Sequence, residues 1–291
     1  MDIAMDRNTI KTTFLLTLLA ALFVGIGSIW GKNGLIIGLV IGLVFTFSSY
    51  WFSDKIAIKA ARGVPVSEAQ MPDYYAVVRD LCTRANLPMP RLYVTPDRQP
   101  NAFATGRNPE HAAVAVTEGI LQICSWPELR GVLAHEMSHV GNRDILISSV
   151  AATVAMAITM LARFAAWGGL FFSQGRDGEG ENIFELLALI ILAPMAAVLL
   201  QLALSRSREY EADRSGARLI GDGEPLASAL AKLDAASRQI PMPGVRREMA
   251  PMYIVSPLAA MNVSFKGLFS DHPPTDERIR RLRSREWQKA F

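Results

Sequence analysis

Two long apolar runs near the start of the chain constrain its fold more than any other feature. Residues 12–30 and 35–52 are almost entirely hydrophobic, and only the tetrapeptide Gly31-Lys32-Asn33-Gly34 separates them. Each run is close to the roughly 20 residues that an α-helix needs to cross the hydrocarbon core of a bilayer. The pattern therefore predicts a hairpin of two membrane helices. A cleaved signal peptide is the weaker alternative, because the first run is too long for a typical signal core and no A-x-A-like site follows it.

The basic residues around this hairpin predict its orientation. Five of them lie just outside its two ends: Arg7, Lys11, Lys55, Lys59 and Arg62. The turn between the two runs contains only Lys32. Because cytoplasmic segments next to membrane helices are enriched in Lys and Arg, both outer ends of the hairpin are expected in the cytoplasm.

Two further apolar runs occupy residues 145–172 and 183–204. The third run contains Arg163, and an arginine is costly at mid-membrane depth. These runs are therefore either additional membrane spans, which we favour, or hydrophobic helices packed on a soluble domain. With the hairpin they give about four hydrophobic helices, in keeping with a composition that is 51% hydrophobic.

The remaining segments are typical of a soluble domain. Apolar periodicity and capping signals predict helices over residues 72–85, 125–142, 205–220, 224–239 and from 275 onward, the last capped by Thr275 and presenting a basic, solvated face. Ser125 and Glu128 have the spacing of a capping box. Residues 91–95 are predicted to form a strand, 101–106 a short strand closed by a turn, and 112–121 a strand running toward a helix; we expect them to form a small antiparallel sheet.

Composition excludes some functions. The formal net charge is only +3 and the basic residues are scattered, so no nucleic-acid-binding patch is expected. The two cysteines, Cys82 and Cys124, fit no metal-ligand spacing, and we expect both to be reduced thiols in the cytosol.

The pentapeptide HEMSH, at residues 135–139, matches the pattern H-E-x-x-H. On the predicted helix its two histidines lie one turn apart on the same face, which is the arrangement that two Zn²⁺ ligands need. Glu136 is offset by about 100° and can act as general base toward a water on the metal. The pentapeptide also occurs by chance, and the alternative is a surface histidine pair with Glu136 neutralised by Arg130 or Arg143.

A catalytic zinc site needs a third protein ligand and an open position. The pattern H-E-x-x-H-x-x-G-x-x-H is excluded, because Asn142 and Ile145 occupy the places of its glycine and third histidine. The helix predicted after the fourth apolar run offers Glu209 and Asp213, one turn apart. Glu209 can bind the metal while Asp213 orients a ligating histidine by accepting from its far ring nitrogen. Glu211 falls on another face and is the weaker candidate.

The order of segments is compatible with this pairing. The two histidines and Glu209 can share a metal only if the chain between them crosses the membrane an even number of times. That stretch contains two apolar runs, so it crosses twice if they span and not at all if they do not.

Several motifs together resemble a known family. In chain order they are NAFATG (101–106), HEMSH, SRSREYEAD (205–213) and DHPPTDERI (271–279), preceded by the membrane hairpin. This sequence of motifs is similar to the HtpX membrane metalloproteases of the M48 peptidases over nearly the whole chain. The resemblance implies a gluzincin-type endopeptidase with one Zn²⁺ per chain, multi-pass in the bacterial inner membrane and with its active site facing the cytoplasm. The substrates it implies are damaged or misfolded membrane proteins.

The resemblance also implies roles for individual residues. It makes His135, His139 and Glu209 the zinc ligands, Glu136 the general base and Asp213 a partner of the ligands.

Three further residues correspond to substrate contacts in the family. Asn101 and Ala102 match an edge strand on which substrate backbone pairs as an added strand. His272 matches a histidine that contacts the substrate carbonyl oxygen and would stabilise an oxyanion. Without the resemblance, His272 would be taken as a turn residue before Pro273.

The expected architecture is an α+β, mainly helical membrane protein with a cytosolic gluzincin-type domain. Its four segments are the transmembrane hairpin (1–60), the first part of the protease domain with the HEMSH helix (61–144), a second pair of hydrophobic helices (145–204) and the rest of the domain with the third ligand (205–291).

Other functions stay open but are weaker. About four spans are too few for the large membrane chamber of a Ste24-like prenyl-protein protease. Arg130, Arg143 and Asp144 flank HEMSH too closely for a protease whose motif lies within a span. A non-catalytic membrane chaperone or binding protein would not need Glu136, because a structural zinc site requires no base. Nothing in the sequence predicts an oligomeric state.

Overall fold

The first two helices form the predicted hairpin. A computed structural model of the protein describes residues 2–28, 31–150, 206–239, 254 and 273–288. Helices α1 (Asp2–Ser28) and α2 (Gly31–Trp51) pack along each other. At Gly38 an added Cβ would lie 2.4 Å from the carbonyl oxygen of Phe23, so only glycine permits this approach. Small residues at helix interfaces in membranes allow the two backbones to approach each other closely.

One helix in the described part of the chain, α2, is long and apolar enough to cross a membrane. Many of its apolar side chains are exposed, as lipid-facing residues would be; Ile37, Val44 and Phe47 are the most exposed, at 59% each. In α1 the apolar stretch Thr12–Gly25 is shorter. The third and fourth apolar runs fall outside the described residues beyond position 150, so the total of about four hydrophobic helices stays a prediction.

The predicted soluble helices and strands are present. The further helices are α3 (Ser53–Ala60), α4 (Pro72–Ala85), α5 (Glu118–Ile123), α6 (Trp126–Gly141), α7 (Arg206–Ile220), α8 (Glu224–Gln239) and α9 (Thr275–Arg283). The strands are β1 (Val64–Pro65), β2 (Arg91–Thr95), β3 (Ala102–Thr105) and β4 (Ala113–Thr117). One boundary was wrong, because Thr275 is the first residue of α9 and Pro274 occupies the N-cap position.

The sheet is mixed, so the prediction of an antiparallel sheet was wrong. The strand order is β1-β2-β4-β3, and β4 runs parallel to β2 but antiparallel to β3. Strand β4 lies between β2 and β3, and all of its residues are buried, as expected for an interior strand of a covered sheet. Apolar alternation along a strand predicts the strand itself but does not specify its neighbours, so the parallel pair could not be deduced from local pattern.

The two faces of the sheet are covered by different parts of the chain. On one face Phe103, Ala113 and Ala115 pack against Ala57 and Ile58 of α3, the helix that follows the hairpin. On the other face the alternate residues of β3 and β4 pack in the main core with α4 and α6. The strand pair β3–β4 therefore lies between α3, which directly follows the hairpin, and α6, which contains HEMSH.

Helix α6 forms where its sequence predicts. Pro127 lies in the first turn, and the carboxylate of Glu128 accepts from the backbone N–H and the hydroxyl of Ser125 at 2.8 and 2.9 Å. Helix α7 crosses it closely at Gly216, where an added Cβ would lie 2.9 Å from the backbone nitrogen of His135. This close crossing brings α7 within reach of the HEMSH side chains.

We predict that the Glu128 network stabilises the fold in a pH-dependent way. The carboxylate also accepts from Lys232 at 2.7 Å and from Ser228 at 2.6 Å, which joins α6 to α8. Burial alone would raise the pKa of Glu128, but these donors, Lys232 foremost, lower it from 4.5 to about 2. Glu128→Gln should therefore reduce the free energy of unfolding by about 2 kcal/mol at pH 7. Denaturant unfolding of the full chain in detergent would measure the loss.

The pH dependence follows from the sign of the shift. A carboxyl with a lowered folded-state pKa stabilises the fold above its unfolded value, and that contribution is lost as the pH falls toward the folded value. The difference between Glu128→Gln and the parent should thus narrow from pH 5 toward pH 3. Glu224→Gln, which removes an exposed pair with Arg283, is the control and should cost less. A difference that stays constant over this pH range would contradict the prediction.

Candidate metal centre

Three side chains converge where α6 and α7 cross. The candidate ligand atoms of His135, His139 and Glu209 all lie within 4.8 Å of one another. The two Glu209 oxygens lie 3.7 Å from Nε2 of His135 and 3.6 Å from Nε2 of His139. Ligands held about 2.1 Å from a tetrahedral Zn²⁺ are about 3.4 Å apart, so this donor set fits a zinc ion.

Asp213 lies behind the first histidine. Its Oδ1 is 2.9 Å from Nδ1 of His135, which leaves Nε2 directed at Glu209. Both aspartate and histidine are buried, at 4% and 1% exposure. A carboxylate on the far nitrogen of a ligating histidine fixes the ring orientation and makes the ligand more basic.

The centre contains a buried arginine that the sequence interpretation missed. Arg278, on α9, is 1% exposed and donates from Nε and Nη2 to the two oxygens of Asp213 at 2.8 and 2.7 Å. Its Nη1 donates to the backbone carbonyl of Ile254 at 2.7 Å and lies 3.7 Å from Glu209. Burial would raise the pKa of Asp213, but Arg278 and His135 hold it well below its usual range.

The solvated face predicted for the C-terminal basic helix is therefore wrong at Arg278. Arg280 and Arg283 are exposed, whereas Arg278 shares a buried face with Leu282, four residues later. The position of Leu282 is the signal that was available, since residues four apart lie on the same side of a helix.

The second histidine has its own carboxylate. Nδ1 of His139 lies 3.4 Å from Oδ2 of Asp144, a residue that the sequence had indicated only as a charged flank of the motif. Burial lowers the pKa of His139, but Asp144 and then Glu209 outweigh it and raise that pKa to about 9. A ligating histidine must be neutral, so a metal ion and a proton would compete for His139.

Glu136 lies between the ligand group and the edge of the sheet. Its Oε1 is 4.0 Å from Nε2 of His135, and its Oε2 accepts from the backbone N–H of Ala104 at 2.9 Å. Arg130, one of the two arginines considered as its partner, pairs instead with Asp80 at 2.6 Å. Burial, partly opposed by the two histidines, raises the pKa of Glu136. A raised pKa suits a group that must both accept and return a proton near neutral pH.

The other predicted site residues lie in different settings. Asn101 is 2% exposed, and its side-chain oxygen accepts from the backbone N–H of Ile254 at 3.0 Å. Ala102 begins β3, the strand at one end of the described sheet. Glu211 is only half-buried and accepts from Ser215 at 3.4 Å, away from the ligand group. His272 lies outside the described residues.

An H-E-x-x-H helix joined by a glutamate from a later helix defines the gluzincin class of metallopeptidases. Comparison with known proteins narrows this class. Residues 68–286 match Peptidase family M48, and the chain belongs to that family. The resemblance to HtpX indicated by the motifs is confirmed, because relatives of that name share about 50% sequence identity with this chain.

Two relatives illustrate how complete the match is. The protein called Protease HtpX homolog in Syntrophotalea carbinolica is 53% identical over 277 residues, covering 94% of this chain and 98% of the relative. That of Syntrophobacter fumaroxidans is 51% identical over 278 residues, with the same coverage. The match includes the apolar N-terminal part, so this chain is a membrane metallopeptidase of family M48.

A solved structure supports the fold. The crystal structure of S. mikatae Ste24p aligns with a TM-score of 0.51 at 18% identity, covering 96% of this chain and 66% of that one. At this identity the similarity shows a shared fold and does not transfer an activity.

We predict that Arg278 controls metal affinity through Asp213. Replacing it by Met leaves the buried carboxylate without its cation, and His135 loses a fixed partner. Loss of such an outer contact typically weakens metal binding 10- to 100-fold, so we expect about that for Arg278→Met. Arg278→Lys should recover part of the loss. Competition with a zinc chelator, on protein shown to be folded by circular dichroism, would measure it.

Three further variants test whether the weaker metal binding of Arg278→Met is specific to this residue and not a general effect of losing a charge. Arg280→Gln removes an exposed arginine of the same helix and should leave the affinity unchanged. Glu209→Ala removes a candidate ligand and should weaken binding more than Arg278→Met, whereas Glu211→Ala should not weaken it. Equal loss in the two glutamate variants would show that the metal is held elsewhere.

Proposed function

We propose that this protein is a zinc-dependent endopeptidase anchored in the bacterial inner membrane, with its active site on the cytoplasmic side. One observation carries the proposal. The buried carboxylate of Glu136 lies beside the group formed by His135, His139 and Glu209, and it contacts the end strand of the described sheet at Ala104. A base, a metal-ligand set and a strand edge thus meet at one place.

Zinc is the metal that the donor set favours. Two imidazoles and one carboxylate are the ligands of many catalytic zinc sites, in which a fourth position stays open for water or substrate. When bound, the ion supplies a Lewis acid and lowers the pKa of water at that position. The carboxylates of Asp213 and Asp144 hold the two rings so that both Nε2 atoms face Glu209.

Glu136 is proposed as the general base. It takes the proton of the attacking water and returns it to the leaving amine, a role that its raised pKa assists. The N–H of Ala104 holds one of its oxygens, so the other is left to face the reacting groups. The base is thereby positioned by the same strand that is expected to receive the substrate.

The outer side of β3 is proposed to bind the substrate backbone. Strand β3 pairs with β4 on one side, and the N–H of Ala104 points to the opposite side, toward Glu136. Ala102, two residues earlier, presents its backbone in the same direction, because successive residues alternate along a strand. A peptide added as a further strand would therefore pass in front of Glu136.

Two residues complete the proposed substrate contacts. Asn101 already binds the backbone of Ile254, so we assign it the task of holding the start of β3 in place beside the substrate. His272 remains a candidate for stabilising the oxyanion that forms from the substrate carbonyl, as the family motif implies.

The proposed substrates are damaged or misfolded membrane proteins. The relatives named Protease HtpX homolog and the apolar helix α2 support this proposal. No nucleic acid is proposed as a partner, because the net charge is only +3. A prenyl-protein protease is the alternative suggested by the fold of Ste24p, but the sequence identity to that structure is only 18%.

We predict that Glu136→Gln strongly slows peptide cleavage without removing the metal. The amide keeps the size of the side chain but cannot accept the proton, so the rate should fall by about 100- to 10,000-fold. Cleavage of an unfolded membrane-protein substrate in detergent would measure the rate, and metal analysis of the same sample would measure zinc content.

Glu118→Gln is a suitable control, because Glu118 is an exposed glutamate at the start of α5, away from the ligand group. It should cleave as the parent does. If Glu136→Gln also cleaved at the parental rate with zinc bound, the protein would not be a zinc peptidase of this kind.

The proposed orientation can be tested by labelling single cysteines. In a Cys82→Ser/Cys124→Ser background, Asn33→Cys lies at the start of α2 and Thr83→Cys on the soluble domain, and both positions are exposed. Because the basic flanks predict a cytoplasmic domain, a membrane-impermeant maleimide should label only Asn33→Cys in intact spheroplasts and both after lysis.

Labelling of Thr83→Cys before lysis would reverse the orientation. A cysteine placed between the third and fourth apolar runs, within residues 173–182, should react like Asn33→Cys if these runs span the membrane, and like Thr83→Cys if they do not.

A further inference from the structure

A cavity of about 610 Å³ opens where the membrane hairpin meets the soluble domain. Its walls come from the end of α2, the start of α3, strand β2 and the turn before β4, and they include Trp51, Lys55, Arg91, Arg107 and Glu110. The HEMSH residues do not line it. The cavity is therefore separate from the candidate metal centre.

One wall of the cavity is aromatic and continues the lipid-facing side of α2. Phe47, Trp51 and Phe52 are 59%, 41% and 43% exposed, and the rings of Phe47 and Trp51 contact each other at a centroid distance of 5.9 Å. Aromatic residues at the end of a membrane helix are typical of the depth at which lipid headgroups begin. The cavity thus opens at the level where a lipid has its polar end.

Two cations lie against the aromatic residues of this wall. The guanidinium of Arg107 lies 4.7 Å from the centre of the Trp51 ring and donates to the Trp51 carbonyl at 3.4 Å. The ammonium of Lys55 lies 5.4 Å from the centre of the Phe52 ring. Within the described residues, neither cation has an ion pair with a carboxylate. Each is held in place by an aromatic ring while its charge stays available.

A second, smaller cavity of about 410 Å³ adjoins the first and extends the cationic surface. The two share Asp54, Lys55 and Arg91, and the second adds Lys59 and Arg62. Of the two carboxylates in the combined wall, that of Asp54 is neutralised by an ion pair with Arg91. Five cations against two carboxylates leave a net charge of +3 with His111 neutral.

We propose that this cavity binds the headgroup phosphate of an anionic phospholipid from the cytoplasmic leaflet. The phosphate would lie between Lys55 and Arg107, and an acyl chain would run along Phe47 and the exposed side of α2. Basic residues next to a membrane helix attract anionic lipid through the negative surface potential of this leaflet. The proposal rests on the membrane location in the proposed function, not on its chemistry.

The same cavity connects the lipid to the sheet. Helix α3, which lines the cavity through Asp54 and Lys55, packs through Ala57 and Ile58 against Phe103 of β3. A headgroup held by Lys55 would keep α3 at a fixed depth in the membrane interface, and the sheet with it.

The test measures lipid binding directly. The full chain, purified in detergent, is titrated with phosphatidylglycerol, and bound lipid is counted by native mass spectrometry. We expect saturable binding to the parent and about 30-fold weaker binding to Lys55→Gln/Arg107→Gln, since two cations near the lipid are removed. Arg79→Gln/Arg283→Gln removes two exposed cations elsewhere and should bind as the parent does.

Titrations with other compounds test whether the bound ligand is an anionic lipid. Phosphatidylcholine should bind weakly, and soluble glycerol 3-phosphate or an acidic peptide should not displace phosphatidylglycerol. Equal binding of both lipids, unchanged binding in the Lys55/Arg107 variant or displacement by either soluble competitor would overturn the proposal. Glu136→Gln should bind lipid like the parent, so failure of the lipid site and failure of the peptidase mechanism give different results.

Discussion

The organisation of the metal centre depends on one buried cation, Arg278. A charge without water is tolerated only where opposite charges and hydrogen-bond acceptors surround it. Asp213 accepts two of its hydrogen bonds, the carbonyl of Ile254 accepts a third, and Glu209 lies 3.7 Å away. The arginine thus joins α9, α7 and the segment at Ile254. Because Asp213 in turn contacts His135, helix α9 is linked to a candidate ligand that precedes Arg278 by more than 100 residues.

The two histidines are held by similar means but to different degrees. Each has a carboxylate near Nδ1, Asp213 for His135 and Asp144 for His139, at 2.9 and 3.4 Å. His135 is almost fully buried, whereas the side chain of His139 is 16% exposed. The first ring is therefore fixed by a closed network that includes Arg278, while the second faces a more accessible part of the site. The two candidate ligands therefore differ in accessibility, His135 being enclosed and His139 the more exposed.

Features of the fold that depend on neighbouring residues could be predicted from the sequence. Features that depend on contacts between distant segments could not. The helix of HEMSH could be predicted because its cap and its apolar face are encoded within one segment. The pairing of the two histidines with Glu209 also followed, since helical spacing and residue type limit the possible ligands. The parallel pairing of β2 with β4 could not be predicted, because partner choice depends on contacts between distant segments. Arg278 was missed although the spacing to Leu282 placed it on the buried face; its partner Asp213, on another helix, could not be deduced from the run of arginines itself.

Strand β3 links the membrane part of the chain to the chemistry. Side chains alternate along a strand, so Phe103 faces α3 while its neighbours Ala102 and Ala104 face the core that includes α6. The backbone of Ala104 also holds Glu136. A shift of α3 relative to the sheet would therefore act on the same four-residue strand that contacts Glu136, the proposed base. The short strand gives little room for the two sides to move independently, because close-packed interiors transmit displacement rather than absorb it. The depth of the hairpin in the bilayer and the geometry at Glu136 are in this way properties of one structural unit.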